Sequence, residues 1–505
     1  MTGGQSPSGL NRGMITVAVI LASFLQSLDT TIANVALPHV QGSLAATPEE
    51  ITWVLTSYIV AAAIMIPLSG WLADRFGRKL VLTTSVVGFT LASALCGVAQ
   101  SLGQIVLFRL LQGLCGAALV PQSQAILLDI NPPERHGRAM AVWGMAVVFG
   151  PVIGPVLGGW LTDNYSWRWV FYINVPFGVL SFLGLAAFLG ESRGARKRFD
   201  FFGFITLSLA IGALQLMLDR GQLLDWFNSR EICFEAGVGA LAFYLFLVQT
   251  FTSPAPFVSP HLFQDRSFAV SNVVIFVFGA VLFATLALLP PLLQELMGYP
   301  VTTTGLVTAP RGVGTLLSMI AVGRLIGRVD TRLITGAGIG LIGISMWQMS
   351  GFSPQMGAQP VIWSGFVQGI GVGFTYVPLS TVCFATLAPR YRSEGASIFN
   401  LLRNIGSSIG ISSVQALLVR NTQILHASLA DRITPFADRL RPPALYGPSL
   451  THGLAALNTA VTRQAEWIAF LDDFKLMFLL TVACLPLLLL LNTGRPAAGA
   501  PVALE

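Results

Sequence analysis

Fourteen stretches of this chain stay apolar for about twenty residues each: 14–36, 51–72, 81–99, 104–128, 137–160, 169–190, 201–218, 232–251, 269–292, 303–323, 331–350, 359–383, 394–418 and 472–492. A bilayer core about 30 Å thick takes roughly 20 helical residues to cross. No water inside it satisfies backbone N–H and C=O groups, so each crossing must be a helix that bonds its own backbone. The expected fold class is an all-α polytopic membrane protein with fourteen transmembrane helices. Charged residues are 10% of the 505, against roughly 25% in soluble domains, and mean hydropathy is +0.71. That sets aside a water-soluble enzyme, a nucleic-acid binder and a disordered scaffold, despite the +6 charge.

Lys and Arg in the connecting segments fix the expected orientation. With the amino terminus cytoplasmic, the inner segments hold seventeen of them, among them Arg75, Arg78, Lys79, Arg135, Arg138 and Arg193–Arg198. The outer segments hold eight, five of them in the one long loop 419–471. Both termini are therefore expected inside. The five cysteines stand singly in apolar stretches, which suggests neither a disulfide framework nor a metal site.

Three units are expected: a six-helix bundle over 1–190, two inserted helices with linkers over 191–268, and a second six-helix bundle over 269–505 that includes the long outer loop 419–471. A weak internal repeat supports the division. Gly70-Trp-Leu-Ala-Asp74-Arg75-Phe-Gly77-Arg78-Lys79 follows span 2, and Gly323-Arg324-Leu-Ile-Gly327-Arg328-Val-Asp330-Thr-Arg332 follows span 10. Such repeats build many secondary transporters, with the substrate site near the midplane between them. The 419–471 segment is broken by Pro435, Pro442, Pro443 and Pro448, yet spaces Leu454, Leu457, Val461, Gln464, Ile468 and Leu471 nearly as heptads. It reads as either an outward helical hairpin or a solvated loop.

Asp29 is the sharpest single signal. A carboxylate inside an apolar span costs a few kcal/mol and by default marks a proton, ion or substrate site. Gln26, Asp29, Thr30 and Ala33 share a helical face, a strip suited to a cavity. The alternative is a permanently paired structural acid. Arg109 is the expected partner, since it lies roughly 8 Å from the outer end of span 4 and Asp29 roughly 11 Å from that of span 1. Arg311 and Arg403 lie near mid-depth with Asn400 and Asn404 beside the latter. They either bind an anionic or amphiphilic substrate or tie helices together. Gln26, Thr30, Asn34, Gln368 and Tyr376 complete the expected substrate-binding set.

Conformational gating is assigned to two further groups. In span 5, Gly150, Gly154 and Gly158 recur every fourth residue beside Gly159, with Pro151 and Pro155 between them; glycines permit close helix approach and prolines permit bending. Gly365, Gly369 and Gly373 repeat the stripe in span 12. At the inner face Asp74, Arg75, Gly77, Arg78 and Asp129 are expected to form an ion-pair latch against the amino-terminal end of a neighbouring helix.

Together these motifs resemble the major facilitator superfamily. The 70–79 segment resembles its loop 2–3 signature, Arg109-Leu-Leu-Gln112-Gly113-Leu-Cys-Gly116 its span 4 signature, and the 150–159 segment the one associated with antiporters. Leu28-Asp29-Thr30-Thr31-Ile32-Ala33-Asn34 is similar to the first-span motif of the fourteen-span drug:proton antiporters, and the match runs on through Trp167–Pro176 and Asp472–Lys475, nearest the EmrB type. The resemblance implies two six-helix bundles plus two extra helices. It also implies export driven by proton influx with no cofactor, proton transfer through Arg109, and a first-span acid that senses protons or cationic drug. It further implies an EmrA-like periplasmic adaptor and a TolC-like outer-membrane channel as partners. Gly327 stands where the first repeat has Asp74, so only the first half should form the latch. The surplus of buried arginine over acid keeps weak acids, fatty acids and lipids open as substrates. A non-transporting membrane sensor or scaffold and an importer remain competing expectations, whereas no catalytic constellation suggests an enzyme.

Overall fold

The computed structural model describes residues 9–132, 135–190, 198–388, 391–431, 433 and 450–491. Fourteen long helices occupy the expected places. The first six are α1 (Gly9–Leu44), α2 (Trp53–Phe76), α3 (Arg78–Val98), α4 (Leu102–Ile130), α5 (His136–Asn164) and α6 (Trp169–Phe188). The inserted pair is α7 (Phe201–Arg220) and α8 (Arg230–Thr252). The last six are α9 (Arg266–Leu296), α10 (Thr303–Leu325), α11 (Thr331–Met349), α12 (Gln359–Ala385), α13 (Arg392–Ala430) and α14 (Leu450–Ala483). Twelve of them are long and apolar enough to cross a membrane. The other two, α11 and α13, are less apolar: glycine dilutes the first, and Asn400, Arg403 and Asn404 sit in the second.

The helix ends differ from the sequence reading where the chain leaves the apolar zone. Helix α13 continues past 418 to Ala430, and α14 begins at Leu450 rather than 472, so much of the expected loop is helix. Hydropathy falls where a helix emerges from lipid, whereas its backbone hydrogen bonds continue. His426 Nε2 and Asn458 Oδ1 lie 3.0 Å apart, joining the two extensions. The basic residues 193–197, Pro435, Pro442, Pro443, Pro448 and Arg495 lie outside the described residues.

Glycine sets the spacing inside each half. Gly150, Gly154 and Gly158 of α5 lie against Ser27–Val35 of α1; a Cβ at Gly150 would stand 2.7 Å from Leu28 N. In the second half Gly406 and Gly410 of α13 press on Phe276 and Ala280 of α9 in the same way. The α2–α4 contact places Gly113 on the carbonyl of Tyr58, and the α10–α12 contact places Gly369 on the carbonyl of Arg311. The glycine stripes thus pack helices within a half.

The halves meet mainly through α2 with α13 and α5 with α10. The inserted helices meet each other where Gly239 of α8 approaches Ala213 of α7, and α7 leans on both halves: Thr56 of α2 hydrogen-bonds Asp219, and Ser412 of α13 donates to the Leu218 carbonyl. The two repeated loops turn differently. Gly77 ends α2 at φ +91°, a left-handed conformation suited to glycine, and Gly327 does so after α10 at φ +89°. Helix α2 runs six residues past Gly70 whereas α10 runs two past Gly323, and the left-handed glycine comes seven residues after Gly70 but four after Gly323, three residues sooner.

Gly150→Ala should destabilise the protein by about 1–3 kcal/mol through overpacking against α1. Gly159→Ala, whose Cβ meets nothing nearer than Val35 at 3.9 Å, should be neutral. Melting of the two purified variants in detergent checks the contrast.

Candidate functional site

Asp29 and Arg109 are both buried, at 0% and 1% exposure, and Arg109 Nη1 donates to Asp29 Oδ2 at 2.6 Å. The other carboxylate oxygen accepts from Gln112 Nε2 at 2.8 Å and Asn174 Nδ2 at 2.9 Å. Arg109 also donates to Gln112 Oε1 at 2.8 Å and to the Val54 carbonyl at 3.1 Å, and its guanidinium carbon sits 4.2 Å from the Tyr58 ring centroid. Asn174 is held in turn by Ser93 Oγ at 2.9 Å. Two ions survive out of water only when such further bonds satisfy their remaining donors and acceptors. Arg109 and Gln112 share a face because they are three residues apart on a helix.

This arrangement corrects the expected cavity-facing strip. Asp29 points into the interior of the first half, about 60° around α1 from Gln26 at 100° per residue. Gln26 instead accepts from Val120 N at 3.2 Å, a donor freed where α4 breaks between Gly116 and Leu119. Thr30 is half-buried and bonds back to the Ser27 carbonyl at 2.9 Å, while Asn34 is exposed.

A second cluster spans the two halves. Tyr376 of α12 stacks on Trp143 of α5 with centroids 6.1 Å apart, on Phe278 at 5.9 Å, and lies 6.3 Å from Phe399. Arg403 Nη1 donates to the Tyr376 hydroxyl at 3.2 Å and Nη2 to Asn404 at 3.4 Å, leaving Nε buried without a partner. Asn400 Nδ2 donates across the seam to Gln124 Oε1 at 3.0 Å. Arg311 is buried with Nε and Nη2 unpartnered. Gln368 faces the interior of the second half, donating to Thr285 Oγ1 at 3.2 Å beside a 20 Å³ cavity, room for about one water.

At the arginine-rich end the halves are latched. Asp129 pairs with Arg78 of the first half and, at 3.0 Å, with Arg392 of the second. Arg78 Nε donates to Ser393 Oγ at 2.8 Å, Ser69 meets Ser397 at 3.1 Å, and Gly70 lies against the first turn of α13. Asp74 acts electrostatically on Arg78 and lines a 500 Å³ cavity with Glu394, while Arg75 is exposed. Arg392 was legible only as a positive loop residue; its pairing needs the fold. Gln112 and Asn174 stand in segments that the sequence already singles out, whereas Tyr58, Ser93, Gln124 and Trp143 carry no such signal.

The chain matches the family model of the Major Facilitator Superfamily over residues 19–411. It is 37% identical to "Multidrug export protein EmrB" of Escherichia coli, over 92% of this chain and 90% of that one. It is 36% identical to "Fatty acid resistance protein FarB" of Neisseria gonorrhoeae, over 96% and 97%. Among solved structures, the proton:xylose symporter XylE aligns at a TM-score of 0.61 and 13% identity, covering 93% of this chain and 95% of XylE, a likeness of fold alone. With a family match across most of its length and relatives of that identity along nearly the whole chain, this protein belongs to the Major Facilitator Superfamily.

Proposed function

We propose that the protein is a proton-coupled antiporter that exports amphipathic drugs or toxic compounds from the cytoplasm by alternating access. The buried Asp29–Arg109 pair carries this reading. Ionised, Asp29 satisfies one donor each from Arg109, Gln112 and Asn174. A proton on Asp29 removes the charge that holds Arg109, which keeps only its bonds to Gln112 and Val54 and the face of Tyr58. Helix α1 is wedged between this network and the glycine stripe of α5, and α5 packs on α10 and α12 of the other half. Proton binding is therefore placed to bias how the halves meet, which is the differential a coupled exchanger requires.

Substrate is assigned to the seam at Trp143, Tyr376, Phe278 and Phe399. Their ring faces suit a flat apolar body, and Arg403 suits its polar end. Of the residues that the sequence assigns to substrate, Gln368 turns into the second half and Asn34 lies outside the seam cluster. The spare donors of Arg311 and Arg403 favour a second reading for the same site, an exporter of fatty acids or other acidic amphiphiles, in keeping with the similarity to the fatty acid resistance protein FarB.

In this reading the chain sits in the bacterial inner membrane with both termini cytoplasmic, the arginine-rich latch is the shut cytoplasmic door, and no cofactor is needed. The paired extensions of α13 and α14 then reach toward the periplasm. They are the surface assigned to an EmrA-like adaptor working with a TolC-like channel, a partnership carried over from the family resemblance.

In proteoliposomes an imposed pH gradient should drive substrate movement, and Asp29→Asn should cut gradient-driven flux at least about tenfold, the effect of losing roughly 1.4 kcal/mol or more of coupling, while substrate counterflow persists. Gradient-independent flux in the wild type, or no flux at all, rejects the reading in favour of an uncoupled carrier or a sensor. Asp129→Asn removes both latch pairs. Partly exposed pairs contribute about 0.2–1 kcal/mol each, so a cysteine placed at Ser397 should react several-fold faster with a water-soluble maleimide; unchanged labelling would count against the latch.

A further inference from the structure

The second half holds an acid that the mechanism above leaves unused. Asp473 of α14 is 1% exposed, and neither of its carboxylate oxygens has a hydrogen-bond partner. Its neighbour in sequence behaves in the opposite way: Asp472 pairs with Lys475 at 2.8 Å on the exposed side of the helix. The charged groups carried by elements packed on α14 are otherwise engaged or bond elsewhere. Arg463 donates to the Leu296 carbonyl at 2.6 Å, Arg403 to Tyr376, His426 to Asn458, and Arg332 to the Leu491 carbonyl at the other end of the helix. Glu295, Glu466 and Arg420 make no bond to Asp473 either.

A bare carboxylate removed from water without a partner is far more costly than the same group carrying a proton, whose loss is that of a neutral hydroxyl. Space for water lies along the same helix. A 450 Å³ cavity at the end opposite the latch is lined by Tyr299, Gln355, Arg463 and Trp467, and Asp473 lies six residues, about 9 Å, farther along α14 than Trp467. Trp467 of that lining donates to the Phe352 carbonyl at 3.2 Å, and Phe474, next to Asp473, packs on Phe352 at 6.3 Å.

We propose that Asp473 is a second proton-binding carboxyl group, housed in the second half and served from the end opposite the latch. The proposal extends the proton-driven reading, and its test lets the two fail separately. Infrared spectra of the full-length protein in liposomes, taken across a pH titration, should contain a protonated-carboxyl C=O band at neutral pH that Asp473→Asn removes and Asp472→Asn retains. Asp473→Glu should restore it at a shifted frequency. Protons moved per exported molecule should fall in Asp473→Asn while substrate counterflow continues. Identical bands in wild type and Asp473→Asn, or equal proton counts, overturn the proposal. Should Asp473→Asn not fold, the absence of any such band from the wild type overturns it as well. A band that is present in a wild type whose export ignores the pH gradient instead rejects proton-driven export and leaves the site standing.

Discussion

Neither Asp29 nor Arg109 is tolerable alone in the interior of a membrane bundle, and the packing of the first half follows from the need to keep them together. Their 2.6 Å contact is closed on all sides by α2, α3, α4 and α6, through Val54, Tyr58, Ser93, Gln112 and Asn174. Removing one partner of such a buried pair typically costs about 3–5 kcal/mol because the other is left without compensation. On the proposed mechanism the proton gradient supplies the energy and that same intolerance couples it to the helices: a proton does transiently what a mutation does permanently.

The second half is built on the same plan with the charges rearranged. Gly113 meets the Tyr58 carbonyl where α4 crosses α2, and Gly369 meets the Arg311 carbonyl where α12 crosses α10. By that match Arg311 stands in the place of Tyr58, and Gly365, four residues before Gly369, stands in the place of Arg109. The cation has moved from the fourth helix of its half to the second, and no acid accompanies it. One half therefore stores a closed ion pair, while the other offers an arginine with unspent donors.

Most of the architecture was legible because lipid imposes a length and a composition that show directly in sequence. A helix lies at each of the fourteen apolar runs, twelve of them long and apolar enough to cross a membrane, though α13 and α14 reach well beyond theirs, and the pairing of Asp29 with Arg109 agrees with depth along two helices. Depth says nothing about rotation, however, and Gln26 and Thr30 bond to Val120 and Ser27 rather than joining the network around Asp29. The extensions of α13 and α14 were half legible for a related reason: heptad spacing survives outside the membrane, whereas hydropathy does not. Tyr58, Trp143 and Gln124 were hidden because an aromatic or amide in an apolar helix looks like any other until its neighbour from a distant segment arrives. The glycine stripes were read correctly as close-packing surfaces, but which helix they embrace depends on topology.

Helix α13 is a single uninterrupted rod of 39 residues, about 58 Å long. Its first turn is held by Asp129 and Arg78, Arg403 a third of the way along meets the aromatic seam, and near its far end His426 meets Asn458 of α14. A stiff shaft of that kind transmits tilt from one end to the other without any relay of side chains. On the proposed reading of the latch as a shut cytoplasmic door, a partner holding the tip would sense through this shaft whether the door is closed.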